Sequence, residues 1–125
     1  MENVKVFISV PMIGKTEEEI EGAILLAKRA FLKKMHDIGH HSRVWNFVDN
    51  YHTKHTDEPK DCIDNSLHYL SEAIDKLSTC QIAVFGKGWE GARGCVTEHR
   101  ICELYKINIV EPKKECKDGS YICYY

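Results

Sequence analysis

Val4-Lys5-Val6-Phe7-Ile8-Ser9-Val10-Pro11, followed at once by Met12-Ile13-Gly14-Lys15-Thr16-Glu17-Glu18-Glu19-Ile20, sets a strand directly before a helix. The β-branched and aromatic run reads as a strand buried on both faces, and Pro11 ends it. Thr16 with Glu19 three positions on forms a capping box, and Glu17, Glu18 and Glu19 put negative charge at the positive end of the helix dipole. Ile20, Ala23, Ile24, Ala27, Phe31 and Met35 recur at helical spacing, and Gly39 supplies a left-handed stop, so a long amphipathic helix is expected over 16–38.

Working outward, Arg43-Val44-Trp45-Asn46-Phe47 reads as a second strand and residues 48–61 as a polar, turn-rich loop around Pro59. Ile63, Leu67, Leu70, Ile74 and Leu77 mark the apolar stripe of a second helix ending near Ser78, with Asp61 or Asp64 as its cap. Gln81–Phe85 is a third short strand. Residues 86–94, rich in glycine, lead into a third helix that ends about Tyr105, and residues 107–110 close the core as a fourth strand. The tail, residues 111–125, is charged and then tyrosine-rich, with an edge strand expected at 121–125. Strands that alternate with long helices require parallel pairing and crossovers. The expected fold is α/β: a doubly wound, flavodoxin- or Rossmann-like parallel sheet of four to five strands flanked by helices, with residues 1–125 as a single domain. Ligands in such sheets sit beyond the carboxyl ends of the strands, where the strand order reverses. Two loops leave those ends, 11–15 and 86–94.

Composition bounds the function. The 125 residues carry 17 basic and 19 acidic side chains, a net charge of −2, with 43% apolar and 29% charged residues. A chain of this size buries about two-thirds of its unfolded surface and needs no metal or disulfide staple. The charge balance provides no footprint for nucleic acid or an anionic membrane. No run of about 18 apolar residues offers a membrane span, and the N-terminus lacks the regions of a signal peptide, so a cytoplasmic location is expected. The six cysteines, Cys62, Cys80, Cys95, Cys102, Cys116 and Cys123, are therefore expected to be free thiols. None forms a CxxC pair, and His52 and His55 lie in a polar stretch where they read as solvated loop side chains, so no metal site is expected.

One residue breaks the pattern. On the third helix Cys95, Ile101, Cys102 and Tyr105 form an apolar stripe, and Glu98 falls in its middle. A carboxylate placed where a core residue belongs marks a functional position or a buried structural acid paired with an arginine or with backbone groups. Burial would raise its pKa and helix N-terminal N–H groups would lower it. Ahead of it, Gly86, Gly88, Gly91 and Gly94 allow close backbone approach, and Arg93 at the helix N-terminus can grip phosphate or carboxylate through two parallel hydrogen bonds. Neither a GxGxxG nor a P-loop pattern is present. Trp89 has two readings, a platform for a base or ribose and a packing residue at the sheet rim.

Phe7 to Ile20 resembles the opening "FISxPMxGKTxxEI" of a family of small phage and Firmicute proteins related to nucleoside 2-deoxyribosyltransferases. Gly88 to His99 resembles that family's second block, "GWExARGCxxEH". The likeness covers most of residues 4–111 and places the chain in the nucleoside 2-deoxyribosyltransferase-like superfamily. It implies a transferase or hydrolase that cleaves or transfers the N-glycosidic bond of a (deoxy)nucleoside or its 5′-monophosphate, as N-glycosidases of the superfamily do. Glu98 matches the glutamate that attacks C1′. Ser9, Pro11, Met12 and Lys15 match the loop that contacts base and sugar, while Gly88, Trp89, Arg93 and Gly94 form the second half of the binding site. The partner implied is a small-molecule nucleoside or nucleotide in a bacterial or phage-infected cell. The protein is expected to be a homo-oligomer and to use no cofactor.

The chain also departs from the superfamily pattern. Ala73 stands where an acidic residue is usual, Ala92 where a hydroxyl or carboxylate is expected, Gln81 where an acid often opens the third strand, and Val10 where glycine or glutamine is frequent. These departures favour an alternative: a non-catalytic nucleotide-binding protein, for instance a phage protein that sequesters a nucleotide signal. A purely structural protein gives no reason for Glu98.

Overall fold

The computed structural model describes residues 3–39, 43–52 and 66–111. Strand β1 (Asn3–Ser9) is exposed at Asn3 and Lys5 and fully buried from Val6 onward, as its apolar run dictates. It pairs in parallel with β2 (Val44–Asp49) on one side and β3 (Ile82–Phe85) on the other, and β3 pairs in parallel with β4 (Asn108–Val110). The resulting four-stranded sheet has the order β2-β1-β3-β4. The chain leaves β1 toward β2, then crosses back to place β3 on β1's other edge, so the strand order reverses between β1 and β3.

Alternation along β1 feeds two cores. Val4, Val6, Ile8 and Val10 face helix α1 (Glu17–Asp37) and meet Ile20, Ile24, Ala27, Phe31 and Met35. Phe31 meets Trp45 and Phe47 edge-on, with ring centroids 5.0 and 5.9 Å away. Phe7 points to the opposite face with Ala83 and Phe85 of β3, and there Ala73 and Leu77 of helix α2 (Ser66–Leu77) and Cys102 of helix α3 (Arg93–Tyr105) cover the sheet. Helices on both faces of an all-parallel sheet make this the doubly wound α/β architecture.

Local chemistry sets the element ends. The capping box is formed: Thr16 Oγ1 accepts from the Glu19 N–H at 3.1 Å, and Glu19 Oε1 accepts from the Thr16 N–H at 3.0 Å. Gly39 takes φ 85° just past α1, a conformation that glycine adopts without strain. A single 3-10 turn, Trp89–Gly91, occupies the glycine-rich connection before α3.

Several boundaries differ from the expected ones. β2 runs on to Asp49 because β1 continues to offer ladder partners, with Phe7 opposite Val48 and Ile8 opposite Asp49. Gln81 lies outside β3; its side-chain oxygen accepts from the Lys5 N–H at 2.8 Å. His52 is exposed in the turn after β2, as expected, but it is not without partners. Its ring is held between Asp49, 2.9 Å from Nδ1, and Glu21, and these carboxylates, Asp49 first, raise its pKa. Cys80, Cys95 and Cys102 are free thiols. The N-terminal part of the second helix expected from Ile63, the edge strand at 121–125, His55, Cys62, Cys116 and Cys123 lie outside the described residues. No helix among the described residues is long and apolar enough to cross a membrane.

Candidate functional site

The site forms where β1 and β3 end side by side. The Gly86 N–H donates to the Ser9 carbonyl at 2.8 Å, and a Cβ on Gly86 would stand 2.9 Å from Val10 Cγ1, so glycine permits this close approach. From β2's end comes Asn50, buried, whose side chain grips both backbone groups of Val10. Its Oδ1 accepts from the Val10 N–H at 3.1 Å and its Nδ2 donates to the Val10 carbonyl at 2.9 Å. This pairing takes the place of a strand neighbour and fixes the path of the chain out of β1.

Glu98, on the second turn of α3, points inward as its position in the apolar stripe implies; it is 1% exposed. Among the described residues neither an arginine nor a backbone cap is its partner. The Ser9 hydroxyl donates to Oε1 at 2.7 Å, while Oε2 is buried with no hydrogen-bond partner among the described residues. Burial dominates the electrostatics and pushes the pKa up to about 7, with the Ser9 hydrogen bond opposing it. The nearby thiols are inert. Burial pushes Cys95 and Cys102 up to about 12, and the Glu98 charge adds to the rise, so both stay protonated.

Glu98 lies on the wall of a cleft of about 450 Å³, within the range of small-molecule sites. Val10 and Met12 from the first loop, Leu70 and Ala73 from α2, and Ala92 and Gly94 at the head of α3 complete much of the wall, which is mainly apolar. A second cleft of about 340 Å³, containing Lys15, Lys87 and Gly88, adjoins it. Ile13, Ala92 and Arg93 line both.

The structure thus brings together Glu98, Met12, Arg93 and Gly94 at the first cleft, and Pro11, Lys15, Gly88 and Arg93 at the second. Ser9 stands behind the carboxylate as its hydrogen-bond donor. Trp89 lines neither cleft: its ring stacks on His99 at 4.1 Å with an interplanar angle of 10°, and it packs beside Phe85 at the sheet rim. Ala73, Ala92 and Val10 all line the first cleft, so three of the four positions that depart from the resembled pattern are apolar residues on its wall. Neither Glu72 nor Asp75 lines a cleft in their stead.

Sequence reasoning missed Asn50, Lys87 and the part of α2 in the wall. Leu67 and Leu70 read as core residues, yet Leu67 is 73% exposed and both line the first cleft; of the stripe's described residues only Leu77 is fully buried, Ile74 is half-buried, and Ala73 beside the stripe joins the core. Among the described residues no group of three or more His, Cys, Asp or Glu side chains is placed to hold a metal ion. No protein-family model matches the chain, and no curated protein or solved structure matches it.

Proposed function

We propose that the first cleft binds a (deoxy)nucleoside or its 5′-monophosphate and that Glu98 cleaves or transfers the N-glycosidic bond. The observation that carries this reading is the unpartnered Oε2 of a buried carboxylate on the wall of a cleft of sugar size. The resemblance of both sequence blocks to the nucleoside 2-deoxyribosyltransferase-like superfamily supports it. In the first step Oε2 attacks C1′, a C1′–O bond forms, and the C1′–N bond breaks with its electron pair leaving on the base, which takes a proton from solvent. Water or an acceptor base then attacks C1′ and the ester C1′–O bond breaks, restoring the carboxylate. Ser9 holds Oε1 by its hydroxyl and leaves Oε2 to react. Only the ionised carboxylate is nucleophilic, so turnover rises with pH through about 7.

Incubation with a panel of nucleosides and monophosphates, followed by chromatography for free base, tests the reading. Glu98→Gln is expected to slow base release by at least about 10³-fold while the variant stays folded. An unchanged rate would remove Glu98 from the mechanism. One observation favours the second reading, a non-catalytic nucleotide binder: Ala73 and Ala92 leave the wall without a second acid. Retention of intact nucleotide by the wild type, with no base released over hours, selects that reading.

A further inference from the structure

The second cleft holds more positive charge than a nucleoside site needs. Lys15, Lys87 and Arg93 line it from three separate segments, the turn after β1, the turn after β3 and the head of α3. Neither lysine ammonium makes a hydrogen bond or an ion pair with a described residue. No described aspartate or glutamate lines the second cleft, and Glu19, which feels the Lys15 charge, is committed to the α1 capping box. Two glycines in the left-handed region, Gly14 at φ 76° and Gly88 at φ 83°, stand next to Lys15 and Lys87 and fold both turns around the cleft.

The charged residues divide between the two clefts. Glu98 belongs to the first cleft alone, Arg93 to both, and the two lysines to the second alone. A sugar beside Glu98 would set its first phosphate at the Arg93 boundary, where the guanidinium and the N-terminal N–H groups of α3 can bind it. The lysines lie beyond that point and require further anionic charge to engage. We propose that the second cleft is a pyrophosphate subsite, so that the preferred ligand is a nucleoside diphosphate or a longer polyphosphate ester rather than a nucleoside or a monophosphate. The inference rests on reading the first cleft as the nucleoside pocket and extends the ligand past its first phosphate.

Calorimetric titration with inorganic pyrophosphate and with orthophosphate, at matched ionic strength and without divalent cations, tests it. Wild type is expected to bind pyrophosphate about tenfold or more tighter than orthophosphate, a difference of about 1.4 kcal/mol. The double variant Lys15→Gln/Lys87→Gln should lose most of that preference, and Glu98→Gln should keep it. Equal affinity for the two anions, no binding of pyrophosphate, or a preference untouched in the folded double variant overturns the proposal. Neither anion contains a glycosidic bond, so a failure of base release in the earlier assay leaves this result standing, and the converse also holds.

Discussion

At Glu98 the dominant force is the loss of water around a single carboxylate, and this makes the residue a liability to the fold as well as an asset to the site. Its pKa stands at about 7 against an ordinary 4.5. Below the lower value both folded and unfolded chains carry the proton. Between the two the unfolded chain releases it while the fold retains it, so stability falls as pH rises, by about 3 kcal/mol in all, and levels off above about 7. Glu98→Gln lacks this slope. Urea denaturation at about pH 4 and pH 8 should therefore show the variant gaining about 3 kcal/mol on wild type over that interval. Parallel stability curves would mean the carboxyl is not shifted. Glu98 was legible in the sequence because one acid interrupts an apolar helical stripe. Ser9 as its partner was not, since a small hydroxyl in a buried strand leaves no periodic trace.

Among the elements, strand β1 and its exit were the part most open to reading and the part least completely read. The run of β-branched residues, the proline that ends it and the capping box that opens five residues later all specify local structure, and each forms as expected. What tethers the exit comes from elsewhere. Asn50 sits just past β2 in a polar stretch that reads as loop, and no spacing rule announces that its amide will pair with both backbone groups of Val10. Asn50→Asp tests its weight, because the substitution replaces the donor to the Val10 carbonyl by a second acceptor while changing volume little. A loss of about 2 to 4 kcal/mol is expected in thermal or urea unfolding, with Asn50→Ala costing less than or about as much as the aspartate. A loss under about 0.5 kcal/mol would show that the Val10 backbone is held by other means. The end of β2 and the burial of α2 were misread for separate reasons: pairing with β1 extends the first, and a place at the cleft mouth exposes Leu67 on the second.

For the molecule as a whole, two hydrophobic cores share one sheet, and β1 supplies side chains to both. Stability is accordingly concentrated at the centre. Hydrogen exchange should find the amides of Val6, Phe7 and Ile8 slowest, those of β3 next, and those of β4, an edge strand of three residues, fastest among the strands. Slower exchange in β2 or β4 than in β1 would contradict this ordering. The alternation that divides β1 between two cores also gives the Ser9 hydroxyl a second task. A slip of β1 by a single residue against its neighbours would turn either Ile8 or Val10 toward the carboxylate and leave both of its oxygens without a donor in a dry interior. The atoms the fold offers to chemistry are thus also the ones that favour its native strand alignment, and a misaligned chain would forfeit the pocket along with the hydrogen bond.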